Sequence, residues 1–148
     1  MTDRPSPYFV SGQRQIAALA GGAGAPLLRE FFRERTRECD SPYQHLEFIT
    51  VGLFDDLASS LSPGTAFDLI PAAVGIAMDC QGESLFVLAI AQLEALARAS
   101  GTTETPPALV MAWDSLQSAV DAHSAAGELG PDDLESQWRA LADWYRRR

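Results

Sequence analysis

A chain of 148 residues, 47% of them apolar, is one domain's worth of polypeptide and can bury roughly 70% of its unfolded surface with no disulfide or metal to staple it. It contains no run of eighteen apolar residues, and Met1-Thr2-Asp3-Arg4-Pro5-Ser6-Pro7 lacks the basic region, apolar core and small-residue cleavage site of a secretory signal, so the expectation is a cytoplasmic chain away from the membrane. The formal charge of −9 repels nucleic acid and anionic lipid and steers a basic partner or cationic ligand toward the surface.

The turn signals divide the chain into segments with helical periodicity, and none alternates as a half-buried strand does. The expected fold is all-α, a single domain of about seven helices. Residues 1–10 read as a proline-marked tail. A short helix follows from about Ser11 to Ala20 and stops at Gly21-Gly22 and Gly24. With no Lys or Ser/Thr behind them, these glycines make a cap and hinge, not a phosphate loop. A second helix, about Pro26 to Cys39, puts Leu27, Leu28, Phe31 and Phe32 on one face. Arg29, Arg33 and Arg37 lie beside Glu30, Glu34 and Glu38, which reads as a solvated face of weak ion pairs.

Ser41-Pro42-Tyr43-Gln44 opens the third helix with an N-cap serine, a proline at the first helical position and a capping-box glutamine. Its apolar face is Tyr43, Leu46, Ile49, Leu53, Phe54, Leu57 and Leu61, and Ser62-Pro63-Gly64 reads as its stop. A fourth helix covers about Ala66 to Met78, with Pro71 either in its first turns or kinking it. The fifth, Glu83 to Ala99, is apolar nearly all round and belongs at the centre of the fold. After a loop from Gly101 to Pro107, a sixth helix runs to about Ala122 on Leu109, Ala112, Trp113, Leu116 and Val120. Gly127 to Gly130 breaks the chain, and Pro131 opens a last helix packing through Leu134, Trp138, Leu141 and Tyr145. The terminal Arg146-Arg147-Arg148 either complements the negative pole of that helix or folds back on the acidic middle.

Sliding the chain on itself by 39 residues puts Leu46 on Leu85, Val51 on Ile90, Phe54 on Leu93, Asp55 on Glu94, Leu57 on Leu96 and Ala58 on Ala97. Ile70, Ala73 and Val74 fall on Leu109, Ala112 and Trp113. A period near forty with two helices per unit resembles HEAT or armadillo-like repeats over about residues 41–122, without the proline and aspartate signature of a HEAT unit. That resemblance implies a short solenoid of antiparallel helix pairs; the alternative is an irregular bundle.

The charge is unevenly spread. From Cys39 to Trp138 fifteen carboxylates meet one cation, Arg98, while the other ten arginines lie in the flanks and lysine is absent. The missing lysine, beside abundant Arg, Ala, Gly and Pro, points to a GC-rich genome. Asp68, Glu83, Asp132, Asp133 and Glu135 lie near helix N-termini, where negative charge gains about 0.3 to 1 kcal/mol. Asp55, Asp56, Glu94, Asp114 and Asp121 fall in helix middles or C-terminal halves, where the macrodipole gives nothing. They are the candidate partner-binding residues, set against a merely solvated face. In a solenoid Asp55 and Glu94 would stand about 10 Å apart on stacked helices, as rungs of an acidic ladder.

Catalytic chemistry has little to stand on. His45 and His123 lack a second ligand at metal spacing, and Cys39 and Cys80 sit apart as free, partly buried thiols. Asp55-Asp56 is similar to the paired aspartates that hold magnesium in helical prenyl-transferring enzymes, but Ser59 stands where the third acid belongs. Ser59, Ser60, Ser84 and the cysteines have no base partner. Trp113 and Trp138 fit apolar stripes, and Trp144 lies off its stripe. No metal, cofactor or catalytic residue is expected.

The leading expectation is a non-catalytic module whose acidic surface captures a basic protein partner. In overall character the chain is similar to bacterial toxin-immunity proteins, which implies a toxin domain as that partner. A helical scaffold, adaptor or homo-oligomer is the alternative, and a small enzyme or ligand-binding domain a third class.

Overall fold

Seven helices and no strand make up the described part of this computed structural model, which covers residues 7–37, 45–80, 83–126 and 131–145. They are α1 (Pro7–Ala20), α2 (Ala25–Thr36), α3 (His45–Ser60), α4 (Pro63–Asp79), α5 (Glu83–Ala99), α6 (Pro107–Ala126) and α7 (Pro131–Trp144). The all-α expectation holds, and α5 has the bounds its sequence implies. The capping box at residues 41–44, the glycine break at 127–130 and the terminal arginines lie outside the described residues.

Several helix ends fall elsewhere than expected, for local reasons. Pro7 begins α1, inside the stretch read as tail, because proline's fixed φ suits a first helical residue. Ser62-Pro63-Gly64 is a start as well as a stop. Ser62 accepts the Thr65 backbone N–H at 3.2 Å and Pro63 takes the first helical position, so α4 begins three residues earlier than its apolar pattern. Pro71 lies well inside α4, which continues through it with the ring exposed. α6 runs on to Ala126, and His123 packs against Phe86 with ring centroids 5.1 Å apart.

Alternate helices pack on one another. α1 lies on α3, α3 on α5 and α5 on α7, while α2 lies on α4 and α4 on α6. Contacts of α1 with α2, α4 with α5 and α6 with α7 close the space between the two files. Among the described residues the pairs α4 with α5 and α6 with α7 are displaced by one helix from those the 39-residue offset implies, α3 with α4 and α5 with α6, whereas α1 with α2 keeps the offset's register. Only Leu61 and Ser62 separate α3 from α4. The buried alanines of α4, Ala66, Ala72, Ala73 and Ala77, suit close neighbours, and α4 packs on α2, α5 and α6.

α5 contributes Phe86, Leu88, Ala89, Ile90, Leu93, Leu96 and Ala97 to the core, and fully burying each Leu or Ile contributes about 1.5 to 3 kcal/mol. Phe54 of α3 meets Phe31 and Phe32 of α2, each at 6.1 Å between ring centroids. At the α1–α2 junction Arg35 is buried, donating to Ser11 Oγ and to Glu34 at 3.2 Å, while Gln15 Nε2 donates to Glu34 at 2.8 Å. The glutamate stripe of α2 is therefore partly structural rather than wholly solvated.

Candidate functional site

The packing of α3 on α5 brings Asp55 and Glu94 to one cleft of about 220 Å³, lined also by Phe54, Ala91, Ala95, Arg98 and Gln137. Asp55 is exposed, whereas the Glu94 side chain is 13% exposed and paired with Arg98 at 2.7 Å, one turn further along α5. Burial raises the Glu94 carboxyl above its ordinary range; Arg98 opposes that shift and the nearby charge of Asp55 adds to it. The two acids of the expected ladder are thus close enough to feel each other. Their mutual repulsion is partly offset by the one cation of the acidic stretch.

The other three carboxylates point elsewhere. Asp56 accepts a hydrogen bond from Gln13 Nε2 of α1 at 2.9 Å. Asp114 stands on the solvent face of α6 in the turn after Val110 and Met111, exposed apolar residues of which Met111 is 85% accessible. Asp121, on the same helix, accepts from Gln117 Nε2 at 3.1 Å and lines a groove between α6 and α7. The five residues do not make one patch. They divide among the α3–α5 cleft, the α1 side of α3, the solvent face of α6 and the α6–α7 groove.

The α6–α7 groove holds residues that their sequence positions give no reason to join. It encloses about 530 Å³ among Trp113, Gln117, Asp121, Glu135, Trp138, Arg139 and Asp143, with Val120 and Ala142 beneath. The indoles of Trp113 and Trp138 pack with centroids 4.5 Å apart and planes inclined by 37°. Trp138 Nε1 donates to Gln117 Oε1 at 2.7 Å, so that amide is held between the indole and Asp121. The available signal was the spacing of Glu135, Arg139 and Asp143 at i, i+4 and i+8, one face of a helix that also carries Trp138.

Other sequence candidates take structural places. Trp144 is half-buried and donates to the Thr102 carbonyl at 3.0 Å. Cys80 is half-buried, and burial followed by the charge of Asp79 pushes its thiol up to about 11, which keeps it protonated and a poor nucleophile. Among the described residues no group of three or more His, Cys, Asp or Glu could hold a metal ion, and no helix is long and apolar enough to cross a membrane. No protein-family model, no curated protein and no solved structure matches the chain.

Proposed function

We propose that the chain is a non-catalytic binding module that captures a basic protein through its acidic helical surface, as immunity proteins capture toxins. One observation carries this reading. Asp55, Asp56, Asp114 and Asp121 are exposed, and among the described residues none of them is held in an ion pair. A surface with carboxylates left uncompensated by its own cations speeds encounter with a basic protein, while a few buried contacts set residence time. The test is a low-salt pull-down from the source organism's lysate with elution in a salt gradient. Stoichiometric release of one basic protein, with association slowed by Asp55→Asn together with Asp121→Asn, is the expected result. Recovery of the chain alone would refute it.

Self-association is a second reading, favoured by the exposure of Met111 at 85% and of Val110 at 47% on α6. A contact built there would give a mass in solution above 16.0 kDa, and Met111→Lys would return it to the monomer value.

A further inference from the structure

We propose that the hollow between α2, the end of α4 and the start of α5 binds a single-chain amphiphile bearing one carboxylate, with the alkyl chain inside and the head at Arg33. The proposal is independent of basic-partner capture and concerns the arginine-bearing face of α2. The hollow has a volume of about 380 Å³, at the small end of ligand pockets, which suits one chain and not a two-chain lipid. Phe32, Ile76 and Leu85 give it apolar walls. The hydroxyl and thiol in its lining are already engaged: Thr36 donates to the Phe32 carbonyl at 2.7 Å, and Cys80 Sγ to the Ile76 and Leu85 carbonyls at 3.2 and 3.7 Å. A polar guest would give up its water there for no free donor, whereas methylenes gain by leaving water.

The chemistry changes at the rim, where Arg29 and Arg33 stand one turn apart on α2, both exposed. Arg29 is held only by Asp79, at 3.8 Å with both groups largely exposed, a weak restraint. The Arg33 guanidinium has no ion pair or hydrogen bond among the described residues, because Glu34 of the same stripe serves Arg35 and Gln15 instead. The stripe therefore does not neutralise itself as its sequence implies. A guanidinium without an acid, at the edge of an apolar hollow, complements a carboxylate on an alkyl chain through a charge-assisted fork. The net charge of −9, with Asp79 at the same rim, favours a head of one negative charge over a phosphate dianion.

The probes are hexanoate, octanoate and decanoate, with decanol as the uncharged counterpart, titrated into the full chain below micelle-forming concentrations and followed by calorimetry and backbone NMR. Decanoate is expected to shift the signals of Arg33, Ile76 and Cys80, and each added methylene to tighten binding about fourfold, the worth of burying it. Arg33→Gln, made at an exposed position, should weaken decanoate about two- to fivefold and leave decanol unchanged. Asp79→Asn should tighten decanoate by a similar factor, since it removes a negative charge and releases Arg29. In a Cys39→Ser background, saturating decanoate should slow alkylation of Cys80, whose sulfur lines the hollow. Equal loss of decanoate and decanol in Arg33→Gln overturns the placing of the head. Affinity indifferent to chain length, or Cys80 alkylation untouched by saturating decanoate, overturns the hollow as the place of the tail. Binding to phosphatidylglycerol vesicles without binding of free decanoate assigns the face to a lipid surface and overturns the free amphiphile. No binding of any probe overturns the proposal and leaves basic-partner capture standing.

Discussion

Replacing Arg98 with alanine removes the guanidinium 2.7 Å from the Glu94 carboxylate, and pH can separate the two effects that follow. The first is the ion pair. Arg98 is 62% exposed, which limits the pair to about 0.2 to 1 kcal/mol. The second is the favourable placement of a cation in the last turn of α5, about 0.3 to 1 kcal/mol whatever the state of Glu94. Together they come to about 1 kcal/mol, or roughly 2 to 4 °C in Tm for a chain of this size. Burial holds the folded pKa of Glu94 above its unfolded value, so the folded state takes up the proton first and stability falls as pH rises through the interval between the two. Without Arg98 that interval extends upward. The cost of Arg98→Ala is therefore greatest above that interval, where Glu94 is ionised, and falls to the helix-end part below it, where the carboxyl is protonated in both states. Urea unfolding followed by circular dichroism across that range measures it, and Glu94→Gln in both backgrounds completes a double-mutant cycle. A penalty independent of pH, or undiminished in the Glu94→Gln background, would refute the coupling.

Gly12 and Gly52 make a matched pair of helical glycines. A Cβ at Gly12 would lie 2.9 Å from a Leu53 methyl and 3.0 Å from an Arg35 nitrogen, whereas one at Gly52 meets nothing within 4 Å. Gly52→Ala should stabilise by about 1 kcal/mol through helix propensity, while Gly12→Ala should lose that gain to about 1 to 3 kcal/mol of overpacking, read as opposite shifts in thermal melts. Gln92 of α5 is fully buried, and both polar atoms of its amide lack a hydrogen-bond partner among the described residues. Gln92→Leu should stabilise by about 1 to 3 kcal/mol, and a fall in urea midpoint would show that the amide has a partner in solution. In a Cys39→Ser background, Cys80 should react with a thiol reagent near pH 8 on the order of a hundredfold more slowly in the native than in the unfolded chain, since its native thiol titrates at about 11.

The extent of α5 was legible because apolar residues on nearly every side require burial on nearly every side, and its central place follows from the same fact. The start of α4 was misread because Ser-Pro-Gly carries two meanings: it ends one helix by composition and begins the next by cap geometry, which φ and ψ decide. Helix pairing was harder still. The 39-residue offset records similar apolar faces but not which neighbour a face meets, and α4 packs on α2, α5 and α6. The offset did bring Asp55 and Glu94 into one cleft, through packing of α3 on α5. The joining of Trp113 and Trp138 was hidden because each fits its own stripe, and only the antiparallel return of α7 along α6 makes them partners.

Like charges left unpaired must work against the fold that displays them, and salt measures by how much. The ion pairs among the described residues are Arg29–Asp79 at 3.8 Å with both groups largely exposed, Arg35–Glu34 and Arg98–Glu94. Screening weakens these a little, the buried Arg35 least. Against them stand the exposed carboxylates Asp55, Asp56, Asp68, Asp114 and Asp121, and a net charge of −9. Shortening the Debye length from about 30 Å at 0.01 M to about 8 Å at 0.15 M removes repulsion over a wider range of distances than it removes attraction. Sodium chloride should therefore raise the Tm of the free protein across that interval, and Asp55→Asn with Asp56→Asn should raise it at low salt while flattening its salt dependence. A bound basic protein neutralises the same charges directly, so its complex should lose stability over the interval in which the free chain gains it. If the free chain were destabilised by salt instead, its own ion pairs would outweigh the repulsion, and the acidic surface would have no unrelieved charge to offer a partner.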